Sequence, residues 1–201
     1  MLETEENLDF KINNVVATVK FKISEKIDLV KIARKAPDTE YNPVRFPGLI
    51  LRLENPKASF LIFTTGSMVI TGLKTVDLVE KALKKVVKRL KKCRIKLPEP
   101  KIKIVNLVAS GDLHSNINLN KAVLEMEYAM YEPEVFPGLI YHMKDPKAVF
   151  LIFSTGKIVC TGVKKEESVK LAILQLHRDI KEYDLTFDSS LEEDYDQIVF
   201  L

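Results

Sequence analysis

The side chains that could carry out a reaction are few in this sequence, and their spacing does not fit a catalytic centre. The three histidines, His114, His142 and His177, have neither a repeated nor a paired acidic partner. Cys93 and Cys160 match no metal-ligand spacing and no disulfide framework, which suits a reducing intracellular compartment. The sequence contains no phosphate-binding loop and no nucleophile elbow. We therefore predict no enzymatic activity, no bound metal and no other cofactor.

An internal repeat is the strongest pattern in the sequence. Residues 56–72 and 146–162 are identical at 12 of 17 positions, at an offset of 90 residues. The similarity extends outward to two more pairs of segments: 40–53 with 131–143, and 13–18 with 105–110. A two-fold repeat of this length is too long for a solenoid unit and predicts two similar lobes.

Both repeats predict the same order of elements. A β-rich segment is followed by a short helix, a loop rich in Pro and Gly, three strands and a long amphipathic helix. Strands joined by short links between helices indicate an α+β fold, with an antiparallel sheet and helices on one face. The predicted divisions are an N-terminal extension at 1–9, lobes at 10–97 and 101–185, and an acidic C-terminal tail at 186–201. The predicted strands and short helices are 12–22, 27–35, 48–54, 58–64 and 67–72, repeated at 102–110, 119–130, 138–144, 148–154 and 157–162, with long helices starting near 75 and 166.

The predicted strands are apolar on both faces. Side chains alternate along a strand, and one set, which includes Val15, Leu51 and Phe60, is uniformly apolar and should pack under the helices. The opposite set mixes apolar residues with hydrogen-bonding ones, as in Asn14 and Leu61. Two helices per lobe are too few to cover both faces. The second face is therefore either an exposed binding surface or the contact with another layer, such as a dimer partner.

Charge is distributed unevenly along the chain. The formal net charge is +3, but residues 1–97 carry +9 and residues 98–201 carry −6. A basic half suits an anionic partner, although two solvated surfaces of opposite sign would give the same count. No apolar stretch reaches the ~20 residues needed to cross a bilayer, and the acidic N-terminus lacks the apolar core of a signal peptide. We expect neither membrane insertion nor secretion.

Four segments carry a family resemblance: EYNPVRFPGLILRL, LIFTTGSMVITG, YEPEVFPGLIY and LIFSTGKIVCTG. They resemble the TATA-box-binding protein family in both repeats, over about residues 10–183. The resemblance implies two pseudo-symmetric repeats that form one saddle-shaped antiparallel sheet, with helices on the convex face. It also implies a general transcription initiation factor of archaeal type, located in the cytoplasm at the nucleoid of an archaeon or in the nucleus of a eukaryote.

The resemblance further implies binding of double-stranded TATA-box DNA in the minor groove, with bending. The residues that would wedge between base steps are Phe46, Phe63, Phe136 and Phe153, for which four core aromatics are the alternative. The A·T minor groove presents only acceptors, which suits amide and hydroxyl donors beside apolar side chains. These minor-groove contacts would be Asn14, Asn106, Thr71, Thr161, Val16, Val108, Val69, Val159, Leu61 and Leu151. Phosphate contacts would come from Arg45, Arg52, Lys74, Lys157 and Lys164.

Two positions depart from the family pattern. His142 stands where the second repeat usually has the counterpart of Arg52, and Ser67 stands where the first repeat usually has a basic counterpart of Lys157. Both changes weaken a phosphate anchor, so we expect a shallower salt dependence of DNA binding than in a standard member. They also leave open a specialised paralogue that uses the surface mainly for protein interaction or regulation.

Protein partners are implied as well. Transcription factor B would dock on Tyr131, Glu132, Pro133, Glu134 and Val135, and would help to recruit RNA polymerase into a pre-initiation complex. The helix at 81–96 carries nine Lys and Arg residues, which form either a solvated face or a site for an acidic regulator or additional DNA. The segment 182–201 has seven acids and no Lys or Arg, and is a charged end, a cover for the basic helix or a DNA mimic. We expect a monomer on DNA and leave dimerisation of the free protein open.

Overall fold

The computed structural model describes residues 9–36 and 38–187. Most of the predicted N-terminal extension and of the predicted acidic tail lies outside the described residues. The described residues divide into two compact units, one within 12–107 and the other formed by 108–187 with 9–11, so the strands Asp9–Phe21 and Pro100–Asp112 each have residues in both. They are named here the N-terminal unit and the C-terminal unit.

The N-terminal unit contains an antiparallel sheet, one short helix and one long helix. The strand order is β2-β3-β4-β5-β1, so that β3, β4 and β5 form a meander and β5 returns to pair with β1. The elements are β1 (Asp9–Phe21), α1 (Leu29–Lys35), β2 (Thr39–Glu40), β3 (Leu49–Glu54), β4 (Lys57–Ile62), β5 (Ser67–Leu73) and α2 (Leu78–Lys92).

The C-terminal unit has the same plan. The strand order is β6-β11-β10-β9-β8, and β7 pairs with β12 in a separate two-stranded ladder. The elements are β6 (Pro100–Asp112), β7 (Asn116–Ile117), α3 (Leu119–Glu125), β8 (Ala129–Met130), β9 (Leu139–Met143), β10 (Ala148–Ile152), β11 (Lys157–Val163), α4 (Glu166–Glu182) and β12 (Thr186–Phe187).

The short helices begin at equivalent side-chain caps. The carboxylate of Asp28 accepts a hydrogen bond from the Lys31 amide at 2.9 Å, and the Asn118 side chain accepts one from the Lys121 amide at 2.9 Å. Each cap satisfies a backbone N–H that the first helical turn leaves without a partner. The same local signal therefore starts α1 and α3 at the same place in both repeats.

One face of each sheet is buried beneath its helices. Helix α2 contacts β5, and helix α4 contacts β11. Burial falls on every second strand residue and on helix residues spaced three or four apart, as both periods require. The main examples are Val15, Leu51, Phe60 and Ile70 with Val79, Leu83, Val86 and Leu90, and Leu139, Phe150 and Cys160 with Val169, Ile173, Leu176 and Ile180. The predicted α+β class, with antiparallel sheets and helices on one face, is confirmed.

The observed bounds differ from the predicted ones in a few places. Helix α3 ends at Glu125, because Met126 already has extended backbone angles and residues 129–130 form β8. Helix α2 begins three residues after Thr75. The two-residue strands β2, β7, β8 and β12 have no predicted counterpart, since two residues show no period. Within the described part of the chain, no helix has the length and apolar character that a membrane span requires.

Candidate nucleic-acid interface

The second face of the N-terminal sheet remains partly open. Thr18 lies opposite Val69, Val69 opposite Leu61, and Leu61 opposite Ile50, so four half-buried side chains form one row across four strands. Val16 is half-buried on the same strand as Thr18, two residues earlier, and so points to the same side. These contacts across strands give an apolar surface with hydroxyl groups at its edge.

The C-terminal sheet has an open face of the same type. Val159 lies opposite Leu151, and Leu151 lies opposite Ile140, all three half-buried. Val108 on β6 and Thr161 on β11 are half-buried as well. The predicted minor-groove residues of this unit thus alternate with buried core residues such as Phe150 and Cys160.

Asn14 is held by two hydrogen bonds from β5. Its Oδ1 atom accepts from the Gly72 amide at 2.7 Å and from the Thr71 hydroxyl at 3.1 Å. An amide N–H can only donate, so the atom facing Gly72 must be the side-chain oxygen. What Asn14 offers a ligand is therefore its NH2 group, which is the donor that an acceptor-lined groove requires.

Thr71 lies beside Asn14 on the open face. Its hydroxyl donates to Asn14 Oδ1 in this structure, so it would have to leave that bond before it could donate to a base. Asn106 and Thr161 are half-buried at the equivalent positions of β6 and β11. The role of these residues as minor-groove donors stays a prediction.

The four predicted wedge residues form two matching pairs. The rings of Phe46 and Phe63 lie 5.8 Å apart between centroids at an interplanar angle of 65°. The rings of Phe136 and Phe153 lie 5.9 Å apart at the same angle. All four are half-buried, whereas Phe60 is fully buried in the core. Edge-to-face contact is a favoured arrangement for aromatic pairs, so each pair stiffens itself.

A glycine beneath each pair makes this arrangement possible. A Cβ atom on Gly48 would lie 2.6 Å from Cε1 of Phe46, and a Cβ atom on Gly138 would lie 2.7 Å from Cε1 of Phe136. The preceding turns match, since the amides of Phe46 and Phe136 donate to the carbonyls four residues earlier, at 3.0 and 2.9 Å. The repeated Phe-Pro-Gly-Leu segment therefore places the edge of the ring close to the glycine two residues later.

The predicted phosphate contacts are at the surface but differ in availability. Arg45, Lys74, Lys157 and Lys164 are exposed. Arg52 is exposed but forms an ion pair with Glu40 at 2.5 Å. His142 is exposed on β9, opposite Val149, and Ser67 is half-buried at the start of β5.

The loop predicted to contact transcription factor B protrudes from the C-terminal unit. Tyr131 is half-buried, while Glu132, Pro133 and Glu134 are exposed and Val135 has 79% of its surface accessible. An apolar side chain flanked by two carboxylates fits a protein surface better than it fits DNA, because carboxylates and phosphates repel each other. The equivalent loop of the N-terminal unit has Asn42, Pro43, Val44 and Arg45.

Two cysteines and three histidines are the other reactive groups among the described residues. Cys93 and Cys160 are both free and buried, and burial raises the pKa of Cys160 to about 12. His114 lies 3.4 Å from Asp9 and 3.9 Å from Asp112, at the surface. Among residues 9–36 and 38–187, no cluster of His, Cys, Asp and Glu could hold a metal ion.

Four further open-face residues lie outside the predicted set of DNA contacts. Ile50 and Ile140 continue the two apolar rows, and Thr18 and Ser110 occupy equivalent half-buried positions on β1 and β6. Strand alternation already assigns Thr18 with Val16, and Ile50 with Arg52, to the open set, although the resemblance names neither as a contact. The same alternation assigns Ser110 with Val108, and Ile140 with His142.

Comparisons with known proteins match one family. A family model described as transcription factor TFIID, or TATA-binding protein, matches residues 9–93 and 101–183. The chain is 49% identical over 174 residues to the TATA-box-binding protein of Sulfurisphaera tokodaii, which covers 86% of this chain and 87% of that protein. It is 41% identical over 188 residues to that of Thermococcus celer, covering 93% and 98%. The solved structure of Methanococcus jannaschii TBP matches with a TM-score of 0.79 and 44% identity, over 87% of this chain and 99% of that one.

Proposed function

Since the chain belongs to the TATA-binding protein family, we propose that it is a general transcription initiation factor that binds TATA-box DNA in the minor groove and bends it. The family is one of transcription factors and not of enzymes. The observation that carries the proposal is the open face found on both sheets, with matching apolar rows and a matching pair of phenylalanines. Large exposed apolar surfaces mark binding sites.

Recognition of A·T pairs follows from the donors on this face. The minor groove of A·T pairs presents the acceptors A N3 and T O2, and G·C pairs add the exocyclic amine of guanine as a donor. The NH2 group of Asn14 can donate a hydrogen bond to one of these acceptors. Asn106 is the counterpart of Asn14 in the second repeat. The apolar rows around them cannot accept a bond from guanine, so that amine would lose its hydrogen bonds to water without replacement.

Bending follows from the wedge pairs. An apolar side chain inserted between two base pairs unstacks them, at a cost of roughly a few kcal/mol per step, and kinks the duplex toward the major groove. Steps such as TA deform most easily, so sequence is also selected through deformability. The bend for this family is ~80°.

Arg45, Lys74, Lys157 and Lys164 would then hold the phosphates and fix the register without reading bases. Arg52 would have to leave its ion pair with Glu40 to bind a phosphate. Loss of that ion pair would offset part of the free energy gained from the phosphate contact. The exposed Tyr131–Val135 loop would receive transcription factor B and, through it, RNA polymerase. The basic helix at 81–96 is proposed as a site for an acidic regulator. Location at the nucleoid and action as a monomer on DNA would follow from these contacts.

A mobility-shift titration tests the proposal. The full chain should bind a TATA duplex at least about 100-fold more tightly than a duplex in which G·C pairs replace the element, which is within the usual range of specific over non-specific binding. Val69→Glu, on the open face, should abolish this binding. Lys84→Glu, on the exposed side of α2, introduces the same charge and should leave it nearly unchanged. Equal affinity for both duplexes would refute the proposal and favour the specialised paralogue.

A further inference from the structure

A cleft in the N-terminal unit lies at the end of α2, away from the open face of the sheet. It has a volume of about 900 Å³ and is lined by two segments, residues 22–31 and residues 91–98. Its apolar lining consists of Ile23, Ile27, Ile95 and Leu97. Its basic lining consists of Lys22, Lys26, Lys31, Lys91, Arg94 and Lys96.

The C-terminal unit closes the equivalent place with its own backbone. Strand β12 pairs with β7, with Thr186 opposite Ile117, and the Asn118 amide donates to the Leu185 carbonyl at 2.8 Å. At an offset of 90 residues, the corresponding segments of the N-terminal unit are 26–28 and 95–97. Neither of these two described segments forms a strand. Two lengths of chain that pair in one unit therefore face a cleft in the other.

The two units differ in charge and backbone at this place. Asn116 and Thr186 are uncharged, whereas their counterparts Lys26 and Lys96 are two of the six basic residues that line the cleft. Pro98 also removes a backbone donor directly after Leu97. Within the described residues, the N-terminal unit thus keeps unfilled a place where the C-terminal unit forms a ladder.

We propose that this cleft binds an extended acidic segment of a partner protein, which adds a strand beside residues 26–28 or 95–97. Six basic side chains surround it, against the two carboxylates of Glu25 and Asp28, and the Asp28 carboxylate already caps α1. In an added strand, alternate side chains would reach the apolar lining while the acidic ones face the lysines. A nucleic acid would use the charge but would not cover the half-buried side chains of Ile23, Ile95 and Leu97. The inference does not depend on DNA binding by the open face.

A fluorescein-labelled peptide of seven residues with alternating Val and Glu is a suitable probe. Fluorescence anisotropy with the full chain, free of DNA, should show saturable binding of one peptide per chain that weakens as salt is raised. The Lys26→Glu/Lys96→Glu variant should bind at least about tenfold more weakly, since it reverses two charges at the site. Lys147→Glu/Lys170→Glu makes the same change at exposed positions of the C-terminal unit and should alter the affinity by less than about threefold. Circular dichroism and the urea midpoints of both variants report that they are folded.

A second peptide separates strand addition from simple charge attraction. N-methylation of alternate residues keeps every charge but blocks backbone hydrogen bonds on one edge, and should weaken binding by at least about tenfold. Absence of binding, equal loss in both double variants, or undiminished binding of the methylated peptide would each overturn the proposal. Competition by DNA would also overturn it. If a duplex without a TATA element displaces the peptide, and if this displacement requires Lys26 and Lys96, the cleft is a nucleic-acid site.

Discussion

The two loops that carry the wedges are alike in backbone and opposite in surface chemistry. Both place a pair of phenylalanine rings 5.8 or 5.9 Å apart at 65°. Beside these rings, the N-terminal loop has Val44 and Arg45, whereas the C-terminal loop has Glu134 and Val135. The two repeats share the geometry of the ring pairs, while the side chains beside them differ in charge, as the proposed division between phosphate and protein contacts requires.

The two long helices, α2 and α4, also differ in charge at equivalent positions. In the N-terminal unit, Arg89 pairs with Asp38 beside a basic cleft of about 560 Å³. In the C-terminal unit, the position of Arg89 is taken by Asp179, which accepts a hydrogen bond from the Tyr141 hydroxyl at 3.3 Å. What is common to the two units therefore concerns the strand surfaces and wedges, and what differs concerns partners.

The largest expected effect tests the common part. Phe46→Ala and Phe136→Ala should each lower affinity for a TATA duplex on the order of 100-fold. Unstacking a base step costs roughly a few kcal/mol, and each substitution removes a ring whose contacts with the unstacked bases offset that cost. Both rings are only half-buried, so thermal stability should fall much less than for Phe60→Ala in the core, which should cost about 3–5 kcal/mol. Fluorescence transfer across the duplex would measure bending. A large loss in only one of the two variants would break the equivalence of the loops.

Exchanging the loop residues tests the divergent part. Glu132→Asn/Glu134→Val/Val135→Arg should weaken the ternary complex with transcription factor B by about tenfold or more, since it removes two charges and the apolar contact. The reciprocal Asn42→Glu/Val44→Glu/Arg45→Val should instead weaken DNA binding and leave the factor's affinity for the preformed complex unchanged. Titration of the factor onto saturated protein–DNA complex measures both. Equal behaviour of the two exchanges would contradict a division of labour.

A smaller effect is expected from restoring the two missing anchors. His142→Arg and Ser67→Lys should each steepen the plot of log affinity against log salt by about 0.9, the value for one added phosphate contact. Leu124→Lys adds a cation at an exposed position of α3 and should leave the slope unchanged. If neither substitution alters the slope, these two positions do not face phosphates. The parent chain would then lack no phosphate contact at either position.

The smallest effect concerns Tyr141, whose counterpart in the N-terminal unit is Leu51. Burial, together with the nearby Asp179 carboxylate, raises the pKa of Tyr141 from its ordinary value of 10.0 to about 12. The folded state then binds this proton more tightly than the unfolded state, so its contribution to stability is present below pH 10 and is lost as pH rises to about 12. Urea midpoints of the parent chain should therefore fall more steeply across this range than those of Tyr141→Phe. If the two plots of urea midpoint against pH are parallel, Tyr141 does not contribute to the pH dependence of stability.

The sequence predicted the parts of the molecule that depend on local pattern. The alternation of Phe60 with Leu61 identified the buried and open faces, because strand side chains point to opposite sides. The bond between Gly72 and Asn14 joins residues 58 positions apart, and no local period reports it. The edge-to-face contact of the wedge rings likewise depends on a turn geometry that the residue types alone do not fix. Pairing of β7 with β12 escaped prediction because each strand has only two residues.

The glycines under the wedge rings limit which residues these two positions can accept. An alanine at Gly48 or Gly138 would bring its Cβ atom within 2.6 or 2.7 Å of a phenylalanine Cε1 atom, so the ring would have to move. Surveys of related sequences can therefore use these two positions as a marker, because a chain with a larger residue at either one cannot have the ring arrangement found here.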